Sequence, residues 1–529
     1  MTSDAVIPAK AGIQRAVPRH WIPACAGMTL LLAGCGLSGT SSSGVGREGG
    51  IEAAVFEGPV PKATCQPGDR IEDGLQGQVP AEARASGMSA LEAYQCNLEL
   101  VGQWTTGPDG NNAPMPNAGD GAAWQHAWFE DCAYYSTGAA TIGGSSAAKP
   151  AQFRPGVVVV DAKDSAAPKA TAFLSTPGML DPWESLKTHQ KRELLVGTNA
   201  IGGSIAGDGG PEVDVYDLAG DCTQPRLLVS QPVGTANGHE GFFAVDGLTY
   251  YATGSRAIDM TDPAKPTQVG VAEVTGHGGS TSVDGNRAYA VGPSCGNGLR
   301  IVDVSQIQAR VADAEAPVAG EVCWPDGGVA QHTQPFTMKG RRYVLFVDEG
   351  GLVSAQGGAA GNGLAGPPGA ARIIDIEDEQ NPRVVSKLKL EVHMPENAQA
   401  IQESADGTIF GYQGHYCTLS DGANDADTYA IADPVMAICG YFQSGIRVFD
   451  IRNVMKPREI AYYNPPARPG YHAGSNYNMD GECGTADWAS ANSRYRPDRN
   501  EIWFTTQCNA FQIAKFEKPL AELLGTVPQ

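Results

Sequence analysis

Gly156-Val157-Val158-Val159-Val160-Asp161, with Pro168 seven residues beyond the aspartate, is the stretch that decides the fold. An apolar run ending in Asp, then a short polar turn, then Pro, reads as a buried β-strand entering a tight turn. The Asp side chain can accept from backbone amides of that turn, and the Pro falls where no ladder hydrogen bond is lost. The unit recurs as Val213-Asp214-Val215-Tyr216-Asp217 with Pro225, and as Ala257-Ile258-Asp259 with Pro266. Leu299-Arg300-Ile301-Val302-Asp303 follows with a stretched turn to Pro317. Then come Ala371-Arg372-Ile373-Ile374-Asp375 with Pro382 and Ile446-Arg447-Val448-Phe449-Asp450 with Pro457. A degenerate seventh copy is Ala510-Phe511-Gln512-Ile513-Ala514-Lys515, ending at Pro519.

Working outward, a second strand rich in Tyr, Val and Phe precedes each copy. Examples are Ala133-Tyr134-Tyr135, Tyr250-Tyr251-Ala252, Tyr343-Val344-Leu345-Phe346 and, for the sixth unit, Thr408-Ile409-Phe410. Several follow a hairpin turn, at Asp246-Gly247, Asp284-Gly285, Lys339-Gly340 and Asp406-Gly407. Each unit is then about four short antiparallel strands, repeating every ~42 to 75 residues, the size of a β-propeller blade with insertions. The sequence predicts an all-β, seven-bladed propeller. Its seventh blade lacks an outer strand, and Cys96 to Trp104 reads as a lone strand ahead of the first blade. That N-terminal strand is expected to complete the last blade and close the ring.

Composition agrees. The 529 residues include 67 Gly and 36 Pro, poor material for long helices and good material for turns. With 58 acidic against 37 basic residues the formal charge is -21 and no Lys/Arg cluster stands out, which argues against a nucleic-acid partner.

The first residues read as an address. Lys10, Arg15 and Arg19 precede the apolar stretch Trp21 to Gly34, which ends Leu32-Ala33-Gly34-Cys35. That tetrapeptide resembles the bacterial lipobox, implying a lipid on Cys35 and a membrane partner through that anchor. Gly36 rather than Asp after it points to the outer membrane. The expected organisation is a signal segment over 1–35 and a Gly/Ser/Pro-rich tether and linker over 36–93. The propeller follows over 94–520, then a tail over 521–529. There are 12 Cys; without Cys25 and Cys35 an even number remains, with no CxxC pair among them. Disulfides in an oxidising compartment are the simplest reading. Cys417–Cys439 and Cys483–Cys508 are the expected pairs, with Cys295–Cys323 a third.

The repeat, over about residues 94–520, resembles the LVIVD-repeat family of bacterial exported propellers. Cys96 to Gln103 followed by Trp124-Gln125-His126-Ala127-Trp128-Phe129 is similar to that family's N-terminal segment. The resemblance implies an exported propeller and brings no catalytic residues with it.

Histidine is the candidate for chemistry. His126, His239, His277, His332, His393 and His472 fall shortly before or at the expected first strands, with His189 in another register. Once-per-blade residues form a circle at one channel mouth, where imidazoles can hold Cu, Zn or Fe or act as acid and base. Two functions follow: a cell-envelope binding or scaffold module, with a protein or small-molecule ligand at the channel mouth, or a periplasmic metal-dependent oxidoreductase or hydrolase using the histidines. Other motifs fail on context. Gly292 to Gly296 fits G-x-S-x-G without a following helix, and Gly361 to Gly366 fits G-x-G-x-x-G before two prolines. Asp421, Asn424, Asp425 and Asp427 lack EF-hand spacing.

Overall fold

The computed structural model describes residues 55, 57–79, 92–105, 125–137, 156–180, 182–198, 212–233, 240–252, 256–269, 274, 277–292, 294, 297–326, 330–348, 369–397, 411–423, 431–467 and 487–527. They form seven antiparallel sheets, each of four strands or built on four, and each is one blade. Blade one is His126–Phe129, Cys132–Ser136, Val157–Asp161 and Lys169–Leu174, from the axis outward. The inner strands of blades two to six are Lys187–His189, Gly241–Phe243, Gly279–Thr281, Ala330–Met338 and Tyr416–Ser420, and that of blade seven is Arg494–Arg496. The inner strands of blades one to six pack side by side in succession.

Why the blades read as apolar runs rather than alternating strands is clear at Val157–Asp161. Val157 and Val159 pack with Leu195 and Tyr216 of blade two, whereas Val158 and Val160 pack with Trp503 and Ile513 of blade seven. A strand buried on both faces has no solvent side to be polar. Seven such cores, one between each pair of neighbours including blades seven and one, complete the circle. The Asp of each of the first six units makes the expected turn bond: Asp161, Asp217, Asp259, Asp303, Asp375 and Asp450 each accept from the amide two residues on, at 2.9–3.1 Å. Gly247, Gly285 and Gly340 take positive φ at the hairpins, a region closed to most side chains.

Closure is by the N-terminal strand. Leu98–Trp104 pairs antiparallel with Ala510–Phe516 and supplies the outer strand of blade seven. Just before it, Tyr94–Cys96 pairs with Arg458–Asn464, the outer strand of blade six, so one segment grips two blades. Cys96 is also bonded to Cys65, and residues 57–79, read from sequence as linker, lie against blades five and six. There Glu72 meets the buried guanidinium of Arg447, which also pairs with Glu459 at 3.0 Å.

Blade six departs from expectation. Its second strand is Met436–Gly440, not 408–410, which lies outside the described residues. Tyr416–Ser420 is the inner strand, and the insertion after it returns through Ile431–Ala432, which adds in parallel to Phe336–Thr337 of blade five. Cys417 and Cys439 face each other across adjacent strands and are bonded. Cys132–Cys222, which the sequence did not single out, ties blade one to blade two. Cys323 and Cys508 are disulfide-bonded, while Cys295, Cys483 and Cys35 lie outside the described residues.

Candidate functional site

Residues at or just before the inner strands of blades two to six converge at one place in the channel. Blade two contributes Glu184 and Lys187, blade three Glu240, blade four His277, blade five Gln331 and His332, and blade six His415 and Tyr416. A parallel backbone bridge between Glu184 and Glu240 fixes the two carboxylates relative to one another.

The contacts are specific. Glu184 Oε2 lies 3.3 Å from His277 Nε2, and its Oε1 lies 2.8 Å from His415 Nε2. Glu240 Oε1 lies 3.0 Å from His332 Nδ1 and accepts from the Tyr416 hydroxyl. Lys187 Nζ donates to that hydroxyl at 3.4 Å and rests over the Tyr416 ring. His277 and His415 each turn Nδ1 to a backbone carbonyl, of Ala330 at 3.1 Å and Ser490 at 2.6 Å.

Burial dominates the electrostatics. It lowers the His332 pKa against the opposing pull of Glu240, and brings Lys187 down to about 8 although both glutamates favour its charge. Burial, reinforced by the Glu240 carboxylate, holds the Tyr416 hydroxyl well above its ordinary pKa. The cluster can therefore bind a cation or retain a proton.

Of the histidines expected to form a ring, His277 and His332 meet here. His126 begins the inner strand of blade one, but its Nδ1 bonds the Asn492 carbonyl at 3.0 Å and its ring packs on Trp128 and Phe511. His393 does not lie at an inner strand. It sits in a one-turn 3-10 helix after blade five, accepting from the Leu390 amide and bonding the Tyr412 carbonyl at 2.7 Å, so both ring nitrogens serve the local backbone. His189 accepts from the Arg192 amide and so caps a turn. His239 and His472 lie outside the described residues. The sequence reading missed Glu184, Glu240 and His415. The signal for His415 was its place directly before the true inner strand of blade six, hidden by the misassigned 408–410.

Two spaces deserve comparison. A cavity of about 20 Å³ adjoins the cluster, bounded by Lys187, Phe242, Ser280 and His332. A far larger groove of about 770 Å³ lies between blades four and five, lined by Val283, Tyr289, Phe336, Tyr343 and Ile431 among others. At its wall Glu379 holds Arg287 at 2.9 Å and Arg342 at 2.7 Å.

No family model and no curated protein matches the chain. Solved structures similar to it are propellers at low identity. The periplasmic gluconolactonase of Pseudomonas aeruginosa is 14% identical with a TM-score of 0.45, over 74% of this chain and 94% of that one. A putative 6-phosphogluconolactonase of Bacteroides uniformis is 11% identical with a TM-score of 0.43, over 73% and 92%. Sqt1 of Chaetomium thermophilum is 9% identical with a TM-score of 0.41, over 75% and 97%. At these values none carries over an activity or a partner. The class defined is a seven-bladed β-propeller with a buried carboxylate–imidazole cluster in its channel.

Proposed function

We propose that the protein is a binding or scaffold module of the bacterial cell envelope, anchored by a lipid on Cys35. The observation that carries the reading is the closure of the channel cluster. Glu240 and His415 are fully buried, His332 is 3% exposed, and the adjoining cavity of about 20 Å³ has room for a water-sized species only. An active site needs space for reacting atoms beside its titratable groups. The groove between blades four and five has ligand-sized space, away from those groups. The lipobox-like tetrapeptide, the resemblance to exported propellers and the disulfides support the envelope address.

A second reading, a metal-dependent oxidoreductase or hydrolase, draws on the same glutamates and histidines. The two are separated by one set of measurements. Cys35→Ala is expected to move the protein from the membrane pellet to the soluble fraction. A photo-reactive residue at Val283, which is 71% exposed in the groove, is expected to yield a discrete adduct in intact cells. Turnover of a chromogenic ester, a lactone or a diphenol by purified protein, lost in Glu240→Gln, would overturn the module reading in favour of the second.

A further inference from the structure

His277 and His415 have their tautomers set by the backbone. A carbonyl oxygen only accepts, so Nδ1 of each ring, at 3.1 Å from Ala330 O and 2.6 Å from Ser490 O, carries the hydrogen. In a neutral imidazole Nε2 then presents a lone pair. Both Nε2 atoms lie against one carboxylate, that of Glu184, at 3.3 and 2.8 Å. That of His415 also meets the Gln331 amide at 3.1 Å, which leaves the lone pair of His277 turned to the carboxylate. Acceptors against acceptors repel unless a proton or a metal ion lies between them. Metal-binding histidines show this arrangement, with one nitrogen bonded to a carbonyl and the other turned to the ion.

A second carboxylate completes the set. Glu184, Glu240 and His277 each bring a ligand atom to within 4.8 Å of the others. Gly278 makes room for this, since a Cβ there would lie 2.0 Å from Glu240 Oε2. Around them, His332 and Tyr416 fix Glu240, and the Gln331 amide donates to His415 at 3.1 Å. His332 Nε2 is buried without a hydrogen-bond partner, and His332 borders the small cavity beside the cluster.

We propose that Glu184, Glu240 and His277 bind one divalent transition-metal ion in the channel, with His415 packed against Glu184. One imidazole and two carboxylates suit Zn²⁺ or Mn²⁺ better than Ca²⁺ or Mg²⁺, which prefer oxygen alone, or Cu⁺, which prefers sulfur. The three ligands come from blades two, three and four, so the ion cross-links three successive blades at the axis. This site stands whether or not the protein is a binding module.

The test uses full-length mature protein purified without a histidine tag and stripped with chelator. Titration with Zn²⁺ and, separately, Mn²⁺ is followed by calorimetry and by the melting temperature. One ion per chain and a raised melting temperature are expected with at least one of the metals. Glu184→Gln, close in shape but uncharged, is expected to weaken binding by about 100-fold or more. Asp262→Asn, at an exposed blade-three turn, is expected to leave it unchanged. Crystals of the loaded wild type should give an anomalous peak about 2.0–2.2 Å from carboxylate oxygen and imidazole nitrogen. Failure of the folded wild type to take up either metal overturns the proposal. So does undiminished uptake by folded Glu184→Gln. If that variant does not fold, the anomalous map decides: a peak away from these three residues overturns it.

Discussion

His126 and His393 are buried imidazoles, and burial pulls each pKa down to about 3, more strongly than their backbone carbonyl partners raise it. In the unfolded chain each has its ordinary value near 6.5. Between pH 6.5 and 3 the unfolded state therefore binds more protons than the native one, and stability falls as pH falls through that window. The slope is about 1.4 kcal/mol per pH unit for each histidine. Denaturant unfolding measured from pH 6.5 to 4 should show this loss. His393→Gln should reduce the slope by one histidine's share, at some cost to stability at pH 7, because its two backbone partners need the ring nitrogens. An unchanged slope would mean that His393 is already protonated in the native state. What was legible at this scale was local. The Asp of each repeat reaches an amide two residues away, so its role follows from the segment itself. Glu184, Glu240 and His415 gain their meaning only from one another, across blades two, three and six, and no local spacing announces them.

Single elements divide the same way. The closing strand could be read from Cys96 to Trp104 because the seventh repeat lacked an outer strand, a deficit visible in the repeat itself. The grip of Tyr94–Cys96 on blade six could not, since three residues carry no period. Blade six was misread because an apolar stretch at 408–410 resembled a second strand, whereas Met436–Gly440 takes that place after the insertion. The Cys65–Cys96 bond, spanning 31 residues, joins the 57–79 segment to the clasp. In the chain-entropy model such a loop contributes roughly 3–4 kcal/mol. Cys65→Ser with Cys96→Ser is expected to lower stability by about that much, read as a shift in denaturant midpoint at constant slope. A shift below ~1 kcal/mol would show that strand pairing alone secures the clasp. Shortening Ile513, whose side chain fills the core between blades seven and one, to Ala should cost about 2–5 kcal/mol.

At the scale of the molecule the number of blades and the manner of closure were both in the repeat, because each blade needs two neighbours to bury its faces. Removing residues 1–105 takes away both N-terminal strands together with Glu72, leaving Arg447 with one fewer buried counter-charge and blade seven with a bare edge. The truncated chain is expected to melt earlier and over a broader range than the whole protein. An unaltered transition would show that the ring is held by its seven cores without the clasp. Closure also has a consequence for how the chain is made. Gln103 bonds Asn509, 406 residues later, so a strand made early waits for one made near the end. At about 5–20 residues per second that wait is roughly 20–80 s. Until then Leu98–Trp104 lacks the strand it pairs with in the finished ring, and a chaperone that keeps the chain from aggregating is expected to cover that segment.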